Sequence, residues 1–600
     1  MLHDDKYTSS LLESDDHNDN THVVISRDVH FVYDNTHFTP SYINMNTEIS
    51  SNFTIRIKFA SKHDNIELYK LGKLAFEKGT YMGIIYDIRV KAIHTAYEYD
   101  LTLVSEFFFF TQNIDYNIFQ KQSLQSIIEH ICQSKVKIEI EFEEIICEYI
   151  VQYAETGFYF LNRLCGMYGI SYFFTFEPEH TIVHFVKTLH TMGASVVLVN
   201  STVLQQKNRI VQISKLQKFC PKSTTLIGYN HRNVDMQLCV TKETDNNSVQ
   251  DIMYSEIVNL NANDTTFIDN FAEIVSGHKQ CLSNVLELIV NVRSIYTGMF
   301  VELQNTNQWD GKYYVIKSEL IMTDSYLVKI WIIKEDIKWY PEQYPTKSIY
   351  GCQTATVVAD QDIPSGIYAE QGCVKVKFHW KNVLPISKWI RTTCLNASQF
   401  TSSAFIPRIG DEVVVIFQSG DPSRPLIIGS AHNSRNEMLF EAHEAGMQFR
   451  VLEPDLQNAQ VGENLLKFKN LQNEAAIELS AQDKLQLISK GILETNVEKD
   501  STTTIKGNVN MSVEEGNKSC EIQQGNNILK INTGEYTIEI AKGKLTITAQ
   551  SEINIKSSTS ISLTGQQVTI NGSNLKMIGD TIDISASGNV SVKGMMINLN

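Results

Sequence analysis

The C-terminal part of the chain repeats one short hydrophobic pattern. Between residues 545 and 600, each unit has two apolar residues flanking one polar residue, and successive units start 8, 8, 7, 7, 7, 8 and 7 residues apart. The pairs are Leu545/Ile547, Ile553/Ile555, Ile561/Leu563, Val568/Ile570, Leu575/Met577, Ile582/Ile584, Val590/Val592 and Ile597/Leu599. A period of two places both apolar side chains on one face of a strand. Because glycine, serine and asparagine separate the units, the pattern predicts a β-solenoid with tight corners.

Each of these strands has only two or three inward side chains, which are too few to give one chain a core. A repeat of seven or eight residues fits better if several chains wind together and each supplies one face of a prism. We therefore predict a homotrimeric, intertwined triple-stranded β-helix. A β-sandwich with short strands is the alternative, although its strands would vary more in length.

Elsewhere the pattern predicts mostly strands with a few helices. Apolar positions alternate at residues 53–59 and 82–88 and return at 210–333. Helical spacing with Ser123 as N-cap predicts a helix up to residue 132, a second helix over 158–168 and a possible third near 268–276. The phenylalanine run at 107–110 is too short for a membrane span of about 18 residues, so it is predicted to be a buried strand.

The composition of the chain restricts the classes of protein to which it can belong. The chain has 600 residues, 42% of them hydrophobic and 20% charged, which indicates several globular domains. Its formal charge of −16 argues against a nucleic-acid partner, because phosphate binding needs clustered lysine and arginine. The acidic N-terminus lacks the apolar segment of a secretory signal peptide.

No catalytic or metal-binding pattern emerges from the sequence. The ten cysteines form no CxxC spacing and are expected to be reduced, mostly buried thiols. His379 is expected to pack or to lie at an interface, and the His-Glu pair at His443 lacks the second histidine of a zinc protease. Glu139, Glu141 and Glu143 alternate with apolar residues, so they are predicted to form the solvent face of one strand. We expect no enzyme activity, no cofactor and no metal.

Residues 351–433 contain five ordered motifs. They are GCQTATVV at 351–358, VKVKFHW at 374–380, WIR at 389–391, IPRIGDEV at 406–413 and GDPSRPLIIG at 420–429. Their order and spacing resemble the oligonucleotide/oligosaccharide-binding (OB) spike module of VgrG, the tip protein of type VI secretion systems. The structural motif implied by this resemblance comprises Phe378, His379, Trp380, Pro407, Arg408, Gly410, Gly420, Asp421, Pro422, Arg424 and Pro425.

The resemblance extends over most of residues 60–600 and implies a mainly β architecture of five parts. These are a flexible acidic tail (1–20), a hub of β-barrels (21–345) with an α/β insertion at about 116–190, the OB module (346–435), a connector (436–464) and the trimeric needle (465–600). At one strand per eight residues and about 4.8 Å per strand, the needle would be about 80 Å long. The connector is too short to fold an enzyme.

The resemblance implies a mechanical function. A homotrimer would sit on the hexameric Hcp tube, contact baseplate components, puncture the target membrane and deliver secreted effectors. It would assemble in the bacterial cytoplasm and leave through the type VI apparatus without a signal peptide. A PAAR-repeat tip protein would cap the needle, and Met595, Met596, Ile597 and Leu599 are the predicted docking residues.

Other functions stay open at this point. A spike of a phage tail or of an extracellular contractile particle would have the same mechanics. A cell-wall hydrolase hidden in the hub or connector belongs to a different class. A trimeric adhesin is a further alternative, which the missing signal peptide disfavours.

Overall fold

The computed structural model describes residues 28–76, 79–133, 135–189, 195–203, 206–229, 234–235, 238–244, 253–257, 265–323, 325–359, 372–380, 386–397, 403, 405–437, 447–454, 461–471 and 474–599. The predicted tail at 1–20 and His443 lie outside these ranges. Contacts divide the chain into two units, 1–485 and 486–600, which are described separately below. Over the described ranges, no helix has both the length and the apolar character needed to cross a membrane.

The described elements confirm the mainly β fold class. The strands are β1 (His30–Tyr33), β2 (Thr36–Phe38), β3 (Pro40–Glu48), β4 (Thr54–Ser61), β5 (Leu71–Phe76), β6 (Gly79–Ile93), β7 (Ala96–Val104), β8 (Ile114–Ser123), β9 (Lys137–Glu141), β10 (Ile146–Thr156), β11 (Ser171–Phe176), β12 (Thr181–Val186), β13 (Val196–Asn200), β14 (Arg209–Leu216), β15 (Ser223–Gly228), β16 (Leu238–Glu243), β17 (Met253–Ile257), β18 (Val285–Val290), β19 (Phe300–Gln304), β20 (Gly311–Met322), β21 (Tyr326–Lys334), β22 (Gln353–Val358), β23 (Cys373–Phe378), β24 (Ile390–Arg391), β25 (Glu412–Phe417), β26 (Pro425–Ala431), β27 (Met447–Pro454), β28 (Val461–Leu471) and β29 (Glu474–Ser480). The helices are α1 (Glu106–Phe110), α2 (Leu124–Cys132), α3 (Gly157–Tyr168) and α4 (Thr265–Cys281), with 3-10 turns at Asn307–Trp309 and Gln418–Gly420.

One large sheet is built from strands that lie between residues 30 and 334 of the first unit. Its strand order is β19-β13-β14-β18-β21-β20-β3-β4-β7-β6-β5-β1-β2, and an additional β19–β20 pairing closes its first six strands into a barrel. The alternation predicted for 53–59 is present in β4, where Ile55, Ile57 and Phe59 are buried. The apolar face of each strand thus supplies the core.

The predicted strand at 107–110 is wrong, because these residues form the short helix α1. Ser105 caps this helix: its Oγ accepts a hydrogen bond from the backbone N–H of Phe108 at 2.9 Å. Only Phe107 is buried among the helical residues. In a strand, successive phenylalanines would point to opposite faces, so both faces would have to be covered. In the capped helix, only Phe107 points into the core.

The three predicted helices are confirmed. Ser123 caps α2 by accepting a hydrogen bond from the N–H of Ser126 at 3.2 Å, as the sequence predicts. Helix α3 ends at Gly169, whose φ of 70° is the left-handed conformation that commonly terminates helices. Helix α4 covers the predicted 268–276 and extends further, to Thr265–Cys281.

The strands on either side of helices α2 and α3 in the sequence form two small sheets. Strands β8 and β10 pair antiparallel, and β12 pairs antiparallel with β11 and parallel with β9. The parallel β9–β12 pairing sets His184 opposite Glu139, although 44 residues separate them in the sequence.

Residues 353–431 form a five-stranded sheet in the order β24-β23-β22-β25-β26. A parallel bridge between Thr392 and Ile427 joins its two ends, and the Thr393 N–H donates to the Ile427 carbonyl at 2.8 Å. The sheet therefore closes into a small barrel, the architecture of an OB fold. Strands β27, β28 and β29 then form an antiparallel sheet that spans the expected connector and the first residues of the expected needle.

The second unit consists of extended segments separated by bends. Bends recur every eight residues at first, for example at 490–491, 498–499 and 506–507. Farther along the chain, Gly516, Gly525, Gly534 and Gly543 follow one another at intervals of nine residues, with φ between 114° and 134°. Every residue from 486 to 599 is exposed in the single chain.

The ten cysteines are all free thiols, but the prediction that they are mostly buried is wrong. Only half are buried, namely Cys132, Cys147, Cys165, Cys220 and Cys281. Cys239 is exposed because it lies on the outer face of strand β16, and Cys520 because its repeat is exposed throughout in the single chain.

Candidate functional site

The FHW motif of the OB module divides its side chains between core and surface. Phe378 is 1% exposed, and the Trp380 ring stacks on it with a centroid distance of 4.1 Å and an interplanar angle of 8°. His379 points to the opposite side, as alternation along a strand requires. It is exposed, and its ring nitrogens lie 3.3 and 3.0 Å from the hydroxyls of Thr354 and Thr356.

The motif around Pro407 forms a corner that leads into strand β25. Pro407 is buried, whereas Arg408 is exposed. Gly410 has a φ of 93°, a conformation that favours glycine, and its N–H donates to the Val357 carbonyl at 2.9 Å. The Arg408 backbone N–H donates to Asp411 Oδ2 at 2.7 Å, so Asp411 holds the turn through the backbone of Arg408.

The GDPSRP motif forms the second corner. Gly420 has a φ of 77°, and its carbonyl accepts a hydrogen bond of 2.8 Å from the N–H of Ile349. Pro422 and Pro425 are buried on either side of Arg424. The corner therefore joins the module to the segment that precedes it.

Two opposite charges meet inside this corner. Asp421 Oδ1 accepts a hydrogen bond from the Ser423 N–H at 2.8 Å, and burial raises the pKa of the Asp421 carboxyl. Arg424 is 9% exposed, and burial lowers the pKa of its guanidinium, an effect that the nearby Asp421 charge opposes. The charges of Arg424 and Asp421 thus interact within this corner.

The module shares its hydrophobic core with the β8–β10 pair. Ile118, Tyr149 and Val151 from these strands are buried together with apolar residues of the barrel, including Phe378 and Phe417. Polar contacts reinforce the junction. The Val151 N–H donates to Ser423 Oγ at 3.3 Å, and Gln120 Nε2 donates to the Ile386 carbonyl at 2.5 Å. The sequence did not predict this interface, because strand alternation does not tell which sheet a face packs against.

A buried ion pair lies beside this junction. Arg163 on α3 and Glu155 on β10 are joined through Nη2 and Oε2 at 3.1 Å, and their side chains are 3% and 1% exposed. Arg163 Nη2 also donates to the Val151 carbonyl at 3.0 Å, and the Lys347 N–H donates to Glu155 at 3.3 Å. Burial raises the pKa of the Glu155 carboxyl, and the Arg163 charge opposes that effect. The pair fixes the helix, the strand and the segment leading to the module.

The apolar repeats of the second unit form the largest exposed hydrophobic surface among the described residues. Ile553 and Ile555 are 51% and 68% exposed, and the other pairs are comparable. The predicted docking residues are exposed as well: Met595 109%, Met596 81%, Ile597 48% and Leu599 92%. Large apolar patches of this kind mark surfaces that another protein covers.

Two family models match the chain. The phage tail baseplate hub (GPD) model matches residues 46–326. The type VI secretion system/phage-baseplate injector OB domain model matches residues 353–432. Together they cover most of the large sheet, the insertion and the five-stranded barrel.

Proteins named VgrG are among the relatives of this chain. The spike protein VgrG1a of the type VI secretion system of Pseudomonas aeruginosa is 28% identical over 395 residues, which are 57% of this chain and 58% of that protein. The actin cross-linking toxin VgrG1 of Vibrio cholerae is 24% identical over 458 residues, which are 70% of this chain and 40% of that protein. The chain thus spans between two fifths and three fifths of the length of these relatives.

The fold is similar to that of a solved structure. A chain of the half-lidded Francisella PdpA–VgrG complex superposes with a TM-score of 0.52 at 9% identity, covering 76% of this chain and 88% of that one. The likeness concerns the fold alone. The two family models, the ordered motifs and the named relatives together show that this chain contains a phage baseplate hub region and an injector OB domain and is similar to the VgrG spike proteins of type VI secretion systems.

Proposed function

We propose that this protein is the structural spike of a contractile secretion apparatus and works as a homotrimer. Residues 30–334 act as the hub on the Hcp tube and its baseplate, the five-stranded barrel follows the hub in the sequence, and residues 486–599 form the shaft. Contraction drives the tube forward, and the shaft concentrates the force on a small area of the target membrane. Effectors travel with the tip, and the trimer leaves the cytoplasm through the apparatus itself.

The exposed apolar repeats are the observation that carries this proposal. Fourteen or so segments of seven to nine residues follow one another, and most of them present at least two apolar side chains that the single chain leaves exposed. Two further copies supply the other faces of a triangular prism, so that all these pairs turn inward. At about 4.8 Å per stacked strand, such a shaft is about 70 Å long. Closed pairing between chains also removes exposed strand edges, which suits a rod under load.

Four exposed apolar residues form a proposed docking surface for a separate cap. In a trimer, Met595, Met596, Ile597 and Leu599 would supply three copies each of this surface. We assign this surface to a PAAR-repeat tip protein. The named relatives that are spike proteins support a mechanical function for this chain rather than a catalytic one.

Mass in solution tests the homotrimer. The chain has a mass of 68.2 kDa, so a trimer has about three times that mass, about 205 kDa. Light scattering coupled to size-exclusion chromatography, at protein concentrations from micromolar downwards, is expected to show the trimer throughout. A folded species of 68 kDa would overturn the proposal.

A second candidate function is the spike of a phage tail or of an extracellular contractile particle. The match to a phage tail baseplate hub model supports it. The neighbouring genes distinguish the two: genes for a sheath, Hcp and an ATPase indicate secretion, whereas capsid genes indicate a phage.

A further inference from the structure

A histidine and two glutamates from different strands converge in the α/β insertion. His184 of β12 lies opposite Glu139 of β9 in the parallel pairing, and Glu141 follows two residues later on the same face. His184 Nδ1 is 3.2 Å from Glu139 Oε2 and 3.6 Å from Glu141 Oε1. One nitrogen and two carboxylate oxygens thus lie within 4.8 Å of one another.

The imidazole is held in one orientation by its surroundings. Its side chain is 5% exposed, and it stacks on Phe173 with a centroid distance of 5.2 Å and an interplanar angle of 14°. The other ring nitrogen, Nε2, is 2.7 Å from the Thr175 hydroxyl. A histidine that ligates a metal is generally fixed in this way through its second nitrogen. The contacts of Phe173 and Thr175 direct Nδ1 of His184 toward both carboxylates.

The hydrogen bond between Thr175 and Nε2 leaves Nδ1 of His184 facing the two carboxylates. When Nε2–H donates to Thr175 Oγ1, the lone pair of Nδ1 is available to ligate a metal ion that the carboxylates of Glu139 and Glu141 also bind. When Thr175 donates to Nε2 instead, Nδ1–H donates to a glutamate, and binding of a metal ion at Nδ1 releases that proton.

The distances between the ligand atoms match a metal site. Two ligands, each about 2.1 Å from a tetrahedral Zn²⁺, are about 3.4 Å apart. The observed separations of 3.2 and 3.6 Å lie on either side of this value. Glu139 and Glu141 are 48% and 34% exposed, so an ion has access from solvent and water can complete its coordination.

We propose that His184, Glu139 and Glu141 form a binding site for a divalent transition-metal ion of the Zn²⁺ type. One imidazole and two carboxylates suit zinc, whereas magnesium and calcium prefer oxygen ligands throughout. The ion would tie β9 to β12 where they pair. Its effect is structural, because it links two strands that are far apart in the sequence.

Calorimetric titration with Zn²⁺ tests the site on the full-length protein after treatment with a chelator. Wild type is expected to bind one more Zn²⁺ per chain than His184→Gln. The double variant Glu139→Gln/Glu141→Gln keeps the exposed positions polar and is expected to fold normally. Its affinity for this ion should fall at least about tenfold, and Thr175→Val should weaken binding by about tenfold through loss of the orienting contact.

Glu143→Gln is the matched control, since Glu143 is an exposed glutamate two residues beyond Glu141 and lies outside the cluster. It should bind Zn²⁺ like wild type. Circular dichroism verifies that each variant is folded. Equal Zn²⁺ stoichiometry and affinity in wild type and the double variant would overturn the proposal and leave a protonated His184 paired with the glutamates. This outcome does not depend on whether the protein is a trimeric spike.

Discussion

Arg163 and Glu155 form a double hydrogen bond inside the hub, from Nη2 and Nε of the arginine to one carboxylate oxygen at 3.1 and 3.3 Å. Removing one partner leaves the other charge buried without compensation. Arg163→Met is therefore expected to destabilise the hub by about 3–5 kcal/mol at pH 7.5. Urea unfolding followed by intrinsic fluorescence measures the loss.

Arg56→Met is the control for this variant. Arg56 also forms a double hydrogen bond, with Asp100 at 2.7 and 2.8 Å, but its side chain is 52% exposed. Water and salt screen such a pair, so the expected cost is below about 1 kcal/mol. Equal losses for the two variants would show that burial does not determine the strength of these pairs.

The Arg163→Met variant also has an expected pH dependence. Burial already raises the pKa of Glu155 above its ordinary value, and loss of the arginine charge raises it further. The folded variant then binds a proton more readily than the unfolded chain, so its stability rises as pH falls through the raised pKa. Repeating the urea series at pH 5 should show a smaller difference from wild type than at pH 7.5. A difference that grows on acidification contradicts this explanation.

Gly420 provides a second prediction about stability. Its φ is 77°, and a Cβ atom at this position would lie 2.9 Å from the Cβ of Ser348. Gly420→Ala is expected to destabilise the module by more than about 1 kcal/mol. Gly429→Ala is the matched control because a Cβ there has open space. The midpoint of thermal unfolding should fall for the first variant only; equal midpoints would mean that the corner relaxes freely.

The shaft is expected to depend on the apolar face of each repeat. Ile553, Asn554 and Ile555 are consecutive, and alternation turns the isoleucines to one side and the asparagine to the other. Ile555→Asp should weaken the trimer because it places three carboxylates in the interior of the prism. Asn554→Asp adds the same charge on the outside and should leave the trimer intact. Light scattering at decreasing concentration separates the two variants, and identical dissociation would contradict the prism.

Docking of the cap is expected to depend on the last apolar residues. Replacement of Met596, Ile597 and Leu599 by aspartate should abolish co-purification of a PAAR-repeat protein, because charged groups oppose burial of that surface. Asn598→Asp is the matched control and should retain binding. Full binding by the triple variant would place the docking site elsewhere.

Much of the fold follows from local patterns. The spacing of Leu124, Ile127, Ile128 and Ile131 and the cap at Ser123 suffice to define α2. An unbroken apolar run such as the phenylalanines at 107–110 fits either a strand or a helix, and the cap at Ser105 decides in favour of the helix. Closure of the barrel through β19 and β20 depends on pairing between distant segments, which no local pattern shows.

The metal cluster illustrates the same limit. Glu139 and Glu141 lie on the exposed face of strand β9, as predicted, whereas the prediction is wrong for Glu143, which lies beyond the end of that strand. Their partner His184 is more than 40 residues away in the sequence. A signal was present: His184 lies in a strand of six buried residues, where a polar side chain needs a partner. Which residues provide that partner becomes visible only when β9 and β12 are paired.

The glycines at 516, 525, 534 and 543 have a consequence for how the length of this protein can change during evolution. Each corner ends one repeat, and losing the residue between the two members of an apolar pair would turn the second member to the opposite face of its strand. Changes of one residue are therefore compatible with the pattern only at the corners, where repeats of seven, eight and nine residues differ, whereas changes within the extended segments must add or remove complete repeats. In the proposed shaft, the length would accordingly change in discrete steps of one strand, about 4.8 Å each.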